Sequence, residues 1–228
     1  MNRNFLRQSK NQKKRKEAFQ YYFTVEGQCE KLYLEHLEKL INNNNNASNR
    51  VKFTIQVGLS PKSALKRFTS FNSKSILYCV WDREKEDECM NKKFEDYLNE
   101  IDSISSKISA RPAFSHLSFE LWILLHKRDL RRNFTDVSQY CNYINRFFEQ
   151  EFQTLKKYKE KRNFEIILGK ISLNDIVKAV QYGDSIRKNN ENNQKTKIQV
   201  KQMIGYNSNP DLMIHEAVKT ILLDCRLM

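Results

Sequence analysis

The fold is decided by residues 76–82, which read Ile-Leu-Tyr-Cys-Val-Trp-Asp, an apolar run that ends on the carboxylate of Asp82. A second run, Tyr-Tyr-Phe-Thr-Val at 21–25, ends in the same way on Glu26 and Gly27. Short apolar runs of this kind predict buried strands of a parallel sheet. Because open α/β sheets bind ligands at the carboxyl ends of their strands, the two acidic strand ends predict a functional site.

Working outward from these runs, strands and helices alternate along the first half of the chain. The pattern predicts an α/β fold with an open, mostly parallel sheet flanked by helices. Right-handed crossovers would place the strand ends on one edge, where Glu26, Asp82 and the 115–120 segment could converge. The predicted strands are 20–25, 51–57, 76–81 and an irregular one within 109–115; the predicted helices are 29–41, 60–71, 89–101 and one that Ser118 begins as N-cap.

Composition predicts one α/β domain with additions at both ends. Residues 1–17 are expected to form a flexible basic arm, residues 18–128 the α/β domain, and residues 129–228 a helical part packed on the same core. Within that helical part, 188–197 is polar and Asn-rich and predicts a mobile loop, and a last helix is expected at about 211–224. No apolar run is long enough for a membrane span, and no secretory signal is evident. Five scattered cysteines without a CxxC pair favour a reducing cytoplasm, with no disulfide framework and no zinc knuckle.

The chain is strongly basic, with a formal net charge of +13. A basic surface attracts polyanions, nucleic acid first, although an ordinary lysine-rich soluble protein stays the alternative. The residues expected to grip a nucleic-acid backbone are Lys13, Lys14, Arg15, Lys16, Lys127, Arg128, Arg131 and Arg132.

Acidic residues in a basic protein suggest a divalent cation, Mg²⁺ or Mn²⁺, held for work on phosphates. Asp82 directly follows an apolar strand, whereas Glu84 also belongs to an acidic run that ends at Glu88. Glu30 and Glu120 each have a second interpretation as first-turn carboxylates that compensate a helix dipole. His126, alone on an apolar helix, is more typical of a structural residue than of a base or ligand.

Three blocks of the sequence contain these carboxylates. They read Phe-Thr-Val-Glu-Gly-Gln-Cys-Glu-Lys-Leu-Tyr at 23–33, Val-Trp-Asp-Arg-Glu at 80–84, and Ser-Phe-Glu-Leu-Trp-Ile-Leu-Leu-His at 118–126. The three blocks resemble the RloB-like family, which is related to Toprim proteins and is found among bacterial phage-defence genes. Glu26 and Glu30 lie in the first block, Asp82 and Glu84 in the second, and Glu120 in the third. The third is the most specific. In the second, Glu84 stands where the family pattern has an aspartate, and it is one methylene longer.

The resemblance implies a Toprim-like fold that binds Mg²⁺ or Mn²⁺ and hydrolyses phosphodiesters. Carried over by position, the implied catalytic residues are Glu26, Asp82 and Glu84, and the implied metal ligands are Glu26, Glu30, Asp82, Glu84 and Glu120. The expected function is a metal-dependent nuclease acting on RNA or DNA in anti-phage defence or abortive infection. A non-catalytic nucleic-acid-binding or regulatory subunit is the alternative. A defence-system partner protein and a homo-oligomer both stay open.

Overall fold

The computed structural model describes residues 18–71, 75–83, 88–105, 108–200 and 203–228, with the side chains of 88–91, 200 and 203 left out. Its first half is a βαβα series: β1 (Ala18–Val25), α1 (Gln28–Asn43), β2 (Arg50–Val57), α2 (Pro61–Arg67), β3 (Ile76–Cys79), α3 (Glu88–Ser105) and β4 (Ser109–Pro112). The predicted arm, residues 1–17, and Glu84 lie outside the described residues.

The four strands form one sheet in the order β2-β1-β3-β4, and every neighbouring pair is parallel. The prediction of an α/β fold with a parallel sheet is therefore confirmed. β1 and β3 occupy the centre, and their apolar runs are buried because helices cover both faces of the sheet.

Alternate residues of the central strands face two separate cores. Tyr21, Phe23 and Tyr78 pack into the larger core, which α1 and the C-terminal helices cover. Tyr22 and Leu77 pack into the smaller core under α2 and α3. The period-2 geometry of a strand produces this division, so the molecule has three layers with the sheet in the middle.

After the sheet, a short strand and a helix lead into the second half of the chain. These elements are β5 (Ser115–His116), α4 (Glu120–Leu125), α5 (Gln139–Phe148), α6 (Leu155–Tyr158), α7 (Lys161–Gly169), α8 (Leu173–Asn192) and α9 (Ile214–Asp224). All six side chains of α4 are buried, which explains its apolar sequence. Helices from both halves of the chain share the larger core.

The C-terminal part also contains strands that sequence patterning missed. β6 (Lys197–Val200) pairs with β7 (Met203–Tyr206), and β8 (Asp211–Leu212) pairs with β5. Residues 188–192, expected to belong to a loop, continue α8, and the last helix begins at Ile214. These strands are two to four residues long and gain their stability from tertiary contacts, so alternation in the sequence is too short to reveal them.

Candidate functional site

The ends of the two central strands lie side by side at one edge of the sheet. The Val80 N–H donates to the Thr24 carbonyl at 2.8 Å, so the strand ends stay paired up to the acidic residues. The Asp82 N–H then donates to Glu26 Oε2 at 3.2 Å. This bond places the Glu26 carboxylate beside Asp82, as expected for the adjacent ends of two parallel strands.

A third segment, residues 113–118, runs beside the end of β3 and brings further polar groups. The Arg83 N–H donates to the Ser115 carbonyl at 2.9 Å, and the Ser115 N–H donates to the Trp81 carbonyl at 3.1 Å. Ser118 Oγ then lies 3.3 Å from Asp82 Oδ2 and also donates to Glu120 Oε2. The expectation that Ser118 caps α4 is wrong: Phe119 occupies the N-cap position, and the Ser118 hydroxyl bridges two carboxylates.

Glu30 completes the group from the first turn of α1. Its carboxylate is buried, and its Oε2 accepts the Gly27 N–H at 2.9 Å. That bond is the helix-capping contact expected of a glutamate at this position. Glu30 therefore stabilises the N-terminus of α1, and its buried carboxylate also belongs to the acidic group around Asp82. We call Glu26, Glu30, Asp82 and Glu120 the carboxylate cluster.

The carboxylate cluster is electrostatically strained. Burial raises the pKa of Asp82 well above its usual range, and the charges of Glu30, Glu120 and Glu26 raise it further. Burial also raises the pKa of Glu30 to about 7; its backbone hydrogen bond lowers the pKa, and the charge of Glu120 raises it. Buried like charges disfavour one another's ionisation, so a cation at this place would stabilise all of them.

One cation of the protein already reaches the cluster. Lys159 Nζ lies 3.2 Å from Glu120 Oε1, where Glu120 is fully buried and the Lys159 side chain is 40% exposed. The negative charges of Glu120, Asp82 and Glu30 raise the pKa of Lys159 despite its partial burial. Lys159 follows the last residue of α6, so the C-terminal part of the chain supplies it.

The donor chemistry of the carboxylate cluster fits Mg²⁺ or Mn²⁺, because all of its side chains offer oxygen ligands. Within the described parts of the chain, however, no three acidic, histidine or cysteine side chains are placed closely enough to form a metal-coordinating group. Glu84, a predicted ligand, lies outside those parts. Metal binding is therefore a proposal about these residues.

The basic residues predicted to bind nucleic acid have different surroundings. Lys127 contacts the Lys170 carbonyl at 2.5 Å and Asp175 at 3.3 Å, so its ammonium takes part in the protein's own structure. Arg131 pairs with Asp129 at 2.8 Å, Arg132 donates to the Tyr143 hydroxyl at 2.6 Å, and Arg128 is exposed. Residues Lys13 to Lys16 lie outside the described residues. A further basic run of the sequence, Lys156 to Arg162, contains Lys159.

His126 is a buried structural residue. Its Nδ1 lies 2.8 Å from the Trp122 carbonyl, and its Nε2 lies 3.1 Å from the Tyr33 hydroxyl. Burial lowers the pKa of His126 to about 4, so the ring is neutral. A neutral ring with Nδ1–H donating to Trp122 accepts from Tyr33, and both ring nitrogens are then satisfied.

The whole carboxylate cluster lies within the part of the chain that a protein-family model matches. A family model described as RloB-like protein matches residues 21–221. The chain belongs to the RloB-like family. The match includes the carboxylate cluster and extends over Lys159 and most of the C-terminal part. No curated protein and no solved structure matches the chain. Among the described helices of this RloB-like protein, none has the length and apolar character needed to cross a membrane.

Proposed function

We propose that this protein is a Mg²⁺- or Mn²⁺-dependent nuclease that hydrolyses phosphodiesters of RNA or DNA. The observation that carries the proposal is the convergence of Glu26, Asp82 and Glu120 from three segments at one edge of the parallel sheet. Asp82 and Glu120 are buried, and burying neighbouring carboxylates is unfavourable without a cation, so their arrangement favours a cation site. Membership of the RloB-like family supports the same function.

Each carboxylate has a role in this proposal. Asp82 and Glu84 would hold the metal, and Glu30 and Glu120 would complete a second position or orient the first. When bound, the cation neutralises charge that develops on the scissile phosphate and lowers the pKa of water. Glu26, held by the Asp82 N–H, would take a proton from water or return one to the leaving oxygen.

Lys159 would add a fixed positive charge beside the reacting phosphate. Its ammonium is held at the cluster by Glu120 and remains partly open to solvent. The exposed neighbours Lys156, Lys157, Lys161 and Arg162 would contact the nucleic-acid backbone without reading its sequence. A role in anti-phage defence or abortive infection, beside a partner protein or as a homo-oligomer, rests on the family alone.

A non-catalytic nucleic-acid-binding or regulatory subunit is the second candidate. Lys159 already neutralises part of the acidic charge, and the described donors do not form a ready-made metal group. In that case the carboxylates would organise the end of the sheet, and the basic surface alone would carry the function.

The two candidate functions, nuclease and non-catalytic subunit, predict different effects of the substitution Asp82→Asn. A nuclease should lose at least about 100-fold in Mn²⁺-dependent cleavage of a mixed RNA and DNA substrate, while its circular dichroism stays unchanged. Calorimetric titration with Mn²⁺ should show weaker binding in the same variant. Glu151→Gln, which removes an exposed acid elsewhere, is the matched control. Equal and negligible Mn²⁺ binding in wild type and Asp82→Asn would leave the binding subunit as the better account.

A further inference from the structure

Both carboxylate oxygens of Glu120 have partners from the protein itself. Oε2 accepts the Ser118 hydroxyl, and Oε1 lies 3.2 Å from the Lys159 ammonium. The Glu120 side chain is fully buried, so none of its surface faces the solvent. A metal ion that arrives from the solvent would therefore have to displace one of these partners before it could bind Glu120.

Lys159, the cationic partner, is anchored through its backbone as well as through its ammonium. The preceding residue, Tyr158, is fully buried, and its ring packs edge-on against Phe164 in the larger core. The Lys159 N–H donates to the Leu155 carbonyl at 3.0 Å. The core therefore fixes the backbone from which the Lys159 side chain extends, and Glu120 fixes the position of the ammonium.

The contacts that hold the other two carboxylates of the strand ends are neutral. Asp82 Oδ2 lies 3.3 Å from the Ser118 hydroxyl, and Glu26 Oε2 accepts the Asp82 N–H at 3.2 Å. Neutral donors leave the negative charge of these two side chains for a divalent cation. On Glu120, by contrast, a divalent cation would stand a few ångströms from the Lys159 ammonium, and two cations so close repel each other strongly in a buried environment.

We propose that Glu120 is a positioning residue for Lys159 and not a metal ligand, and that the site takes a single divalent cation, at Asp82, with the Lys159 ammonium as its second cation. This replaces the ligand role that the family resemblance implies for Glu120. The inference rests on the proposed metal-dependent nuclease and narrows it, because the reacting phosphate then meets one metal ion and one ammonium. Lys159 is 40% exposed, so its ammonium is accessible to a phosphate, whereas Glu120 is not.

The number of Mn²⁺ ions bound per chain tests this inference. Calorimetric titration and the electron paramagnetic resonance signal of free Mn²⁺ both measure it. Wild type should bind a single Mn²⁺. Lys159→Met should bind a second one, because Glu120 then loses its ammonium, whereas Lys159→Arg keeps the charge and should bind only one. Lys157→Met, which removes an exposed ammonium of α6 paired with Glu160, is the matched control and should behave as wild type.

The double variant Lys159→Met/Glu120→Gln tests the ligand role of Glu120 without a change in net charge. It replaces both charged partners with neutral side chains of similar size, a change that buried ion pairs often tolerate. Its affinity for the single Mn²⁺ should stay within about threefold of wild type, whereas removal of a ligand would lower that affinity by at least about tenfold. A thermal melt shows whether Lys159→Met folds, and the double variant decides if it does not.

A purely structural ion pair would leave the number of bound Mn²⁺ ions unchanged in every variant. That result, a second Mn²⁺ in wild type, or a tenfold loss of affinity in the double variant would each overturn the inference. Cleavage that depends on Asp82, together with a second Mn²⁺ in wild type, would keep the nuclease and reject the inference. A single Mn²⁺ in wild type and a second in Lys159→Met, without any cleavage, would keep the role of Glu120 in a metal-binding protein that is not a nuclease.

Discussion

At the scale of single residues, hydrogen bonds and one ion pair hold the carboxylate cluster, in which Glu30, Asp82 and Glu120 are buried and Glu26 is exposed. Glu26 accepts from the Asp82 backbone, Ser118 bridges Asp82 and Glu120, and Lys159 supplies the counter-charge. Like charges so close together make the metal-free protein sensitive to pH. The predictions at this scale therefore concern protonation and charge.

Glu30→Gln tests how unfavourable the ionisation of Glu30 is in the folded protein, because glutamine keeps an oxygen for the Gly27 N–H and cannot ionise. Burial raises the pKa of Glu30 from 4.5 to about 7. A raised pKa in the folded state means that its stabilising contribution is complete below pH 4.5 and is lost as the pH rises through 7. In EDTA, the unfolding free energy of the variant relative to wild type should rise by about 2 kcal/mol over this interval.

Urea unfolding at several pH values measures this difference. Added Mn²⁺ should shrink it, since a cation stabilises the ionised carboxylate. A difference that does not change with pH would mean that Glu30 ionises normally in the folded protein.

Lys159→Met tests the counter-charge. Fully buried Glu120 would lose its cation, and we expect a loss of about 1–3 kcal/mol, at the low end of values for broken buried pairs because Lys159 is 40% exposed. Millimolar Mg²⁺ should restore part of this loss by occupying the acidic group. Thermal melts with and without Mg²⁺ give the measurement. Lys157→Met removes a surface pair with Glu160 and should change stability by less than about 0.5 kcal/mol.

At the scale of elements, the helices α1 and α4 position two carboxylates of the cluster. α1 buries one face, with Cys29, Tyr33, Leu37 and Ile41 four residues apart. Tyr33 contacts α4 through His126, and its ring lies edge-on to Phe119 and Trp122. The helix that carries Glu30 in its first turn and the helix that begins with Glu120 are therefore fixed against each other.

Tyr33→Phe tests this link. Removing the hydroxyl leaves the His126 Nε2 acceptor unpaired in the core, and we expect a loss of about 1–2 kcal/mol by urea unfolding near pH 7.5. Mn²⁺ affinity should stay within about twofold if the role is purely structural. Tyr143→Phe, at an exposed hydroxyl bonded to Arg132, should cost less than about 0.5 kcal/mol. A large loss of metal affinity in Tyr33→Phe would instead assign His126 to the site.

At the scale of the whole molecule, the acidic edge of the sheet is embedded in a protein of net charge +13. The basic run of α6 and α7 surrounds Lys159 and so borders the cluster, whereas α2 covers the opposite face of the sheet. The effect of the position of basic residues on nucleic-acid binding can therefore be tested separately from the effect of their number.

Changing Lys156, Lys157, Lys161 and Arg162 to Gln should weaken binding of a single-stranded oligonucleotide. The slope of log affinity against log salt should fall by about 0.7 for each phosphate that the variant no longer neutralises. Fluorescence anisotropy at several salt concentrations measures the slope. A matched control with the same charge change, Lys52, Lys62, Lys66 and Arg67 to Gln, lies on β2 and α2 and should leave most of the slope intact. Equal effects in both variants would mean that net charge alone attracts the nucleic acid.

The sequence by itself determined the α/β class, the two central strands and the acidic residues at their ends. These features are local: an apolar run followed by a carboxylate is visible without knowing what packs against it, and parallel topology then places Glu26 and Asp82 together. Local patterning also offered Glu30 as an acid of a helix's first turn and His126 as a structural residue.

Only the tertiary structure decided which other groups lie beside Glu26 and Asp82. Ser118 was expected at a helix N-cap, and it bridges carboxylates because residues 113–118 run beside β3. No local pattern indicates that Lys159 reaches the carboxylate cluster, since its position there depends on elements distant in sequence. The short strands of the C-terminal part arise in the same way. Contacts of this kind depend on how buried surfaces fit together, which the order of residues along one segment does not express.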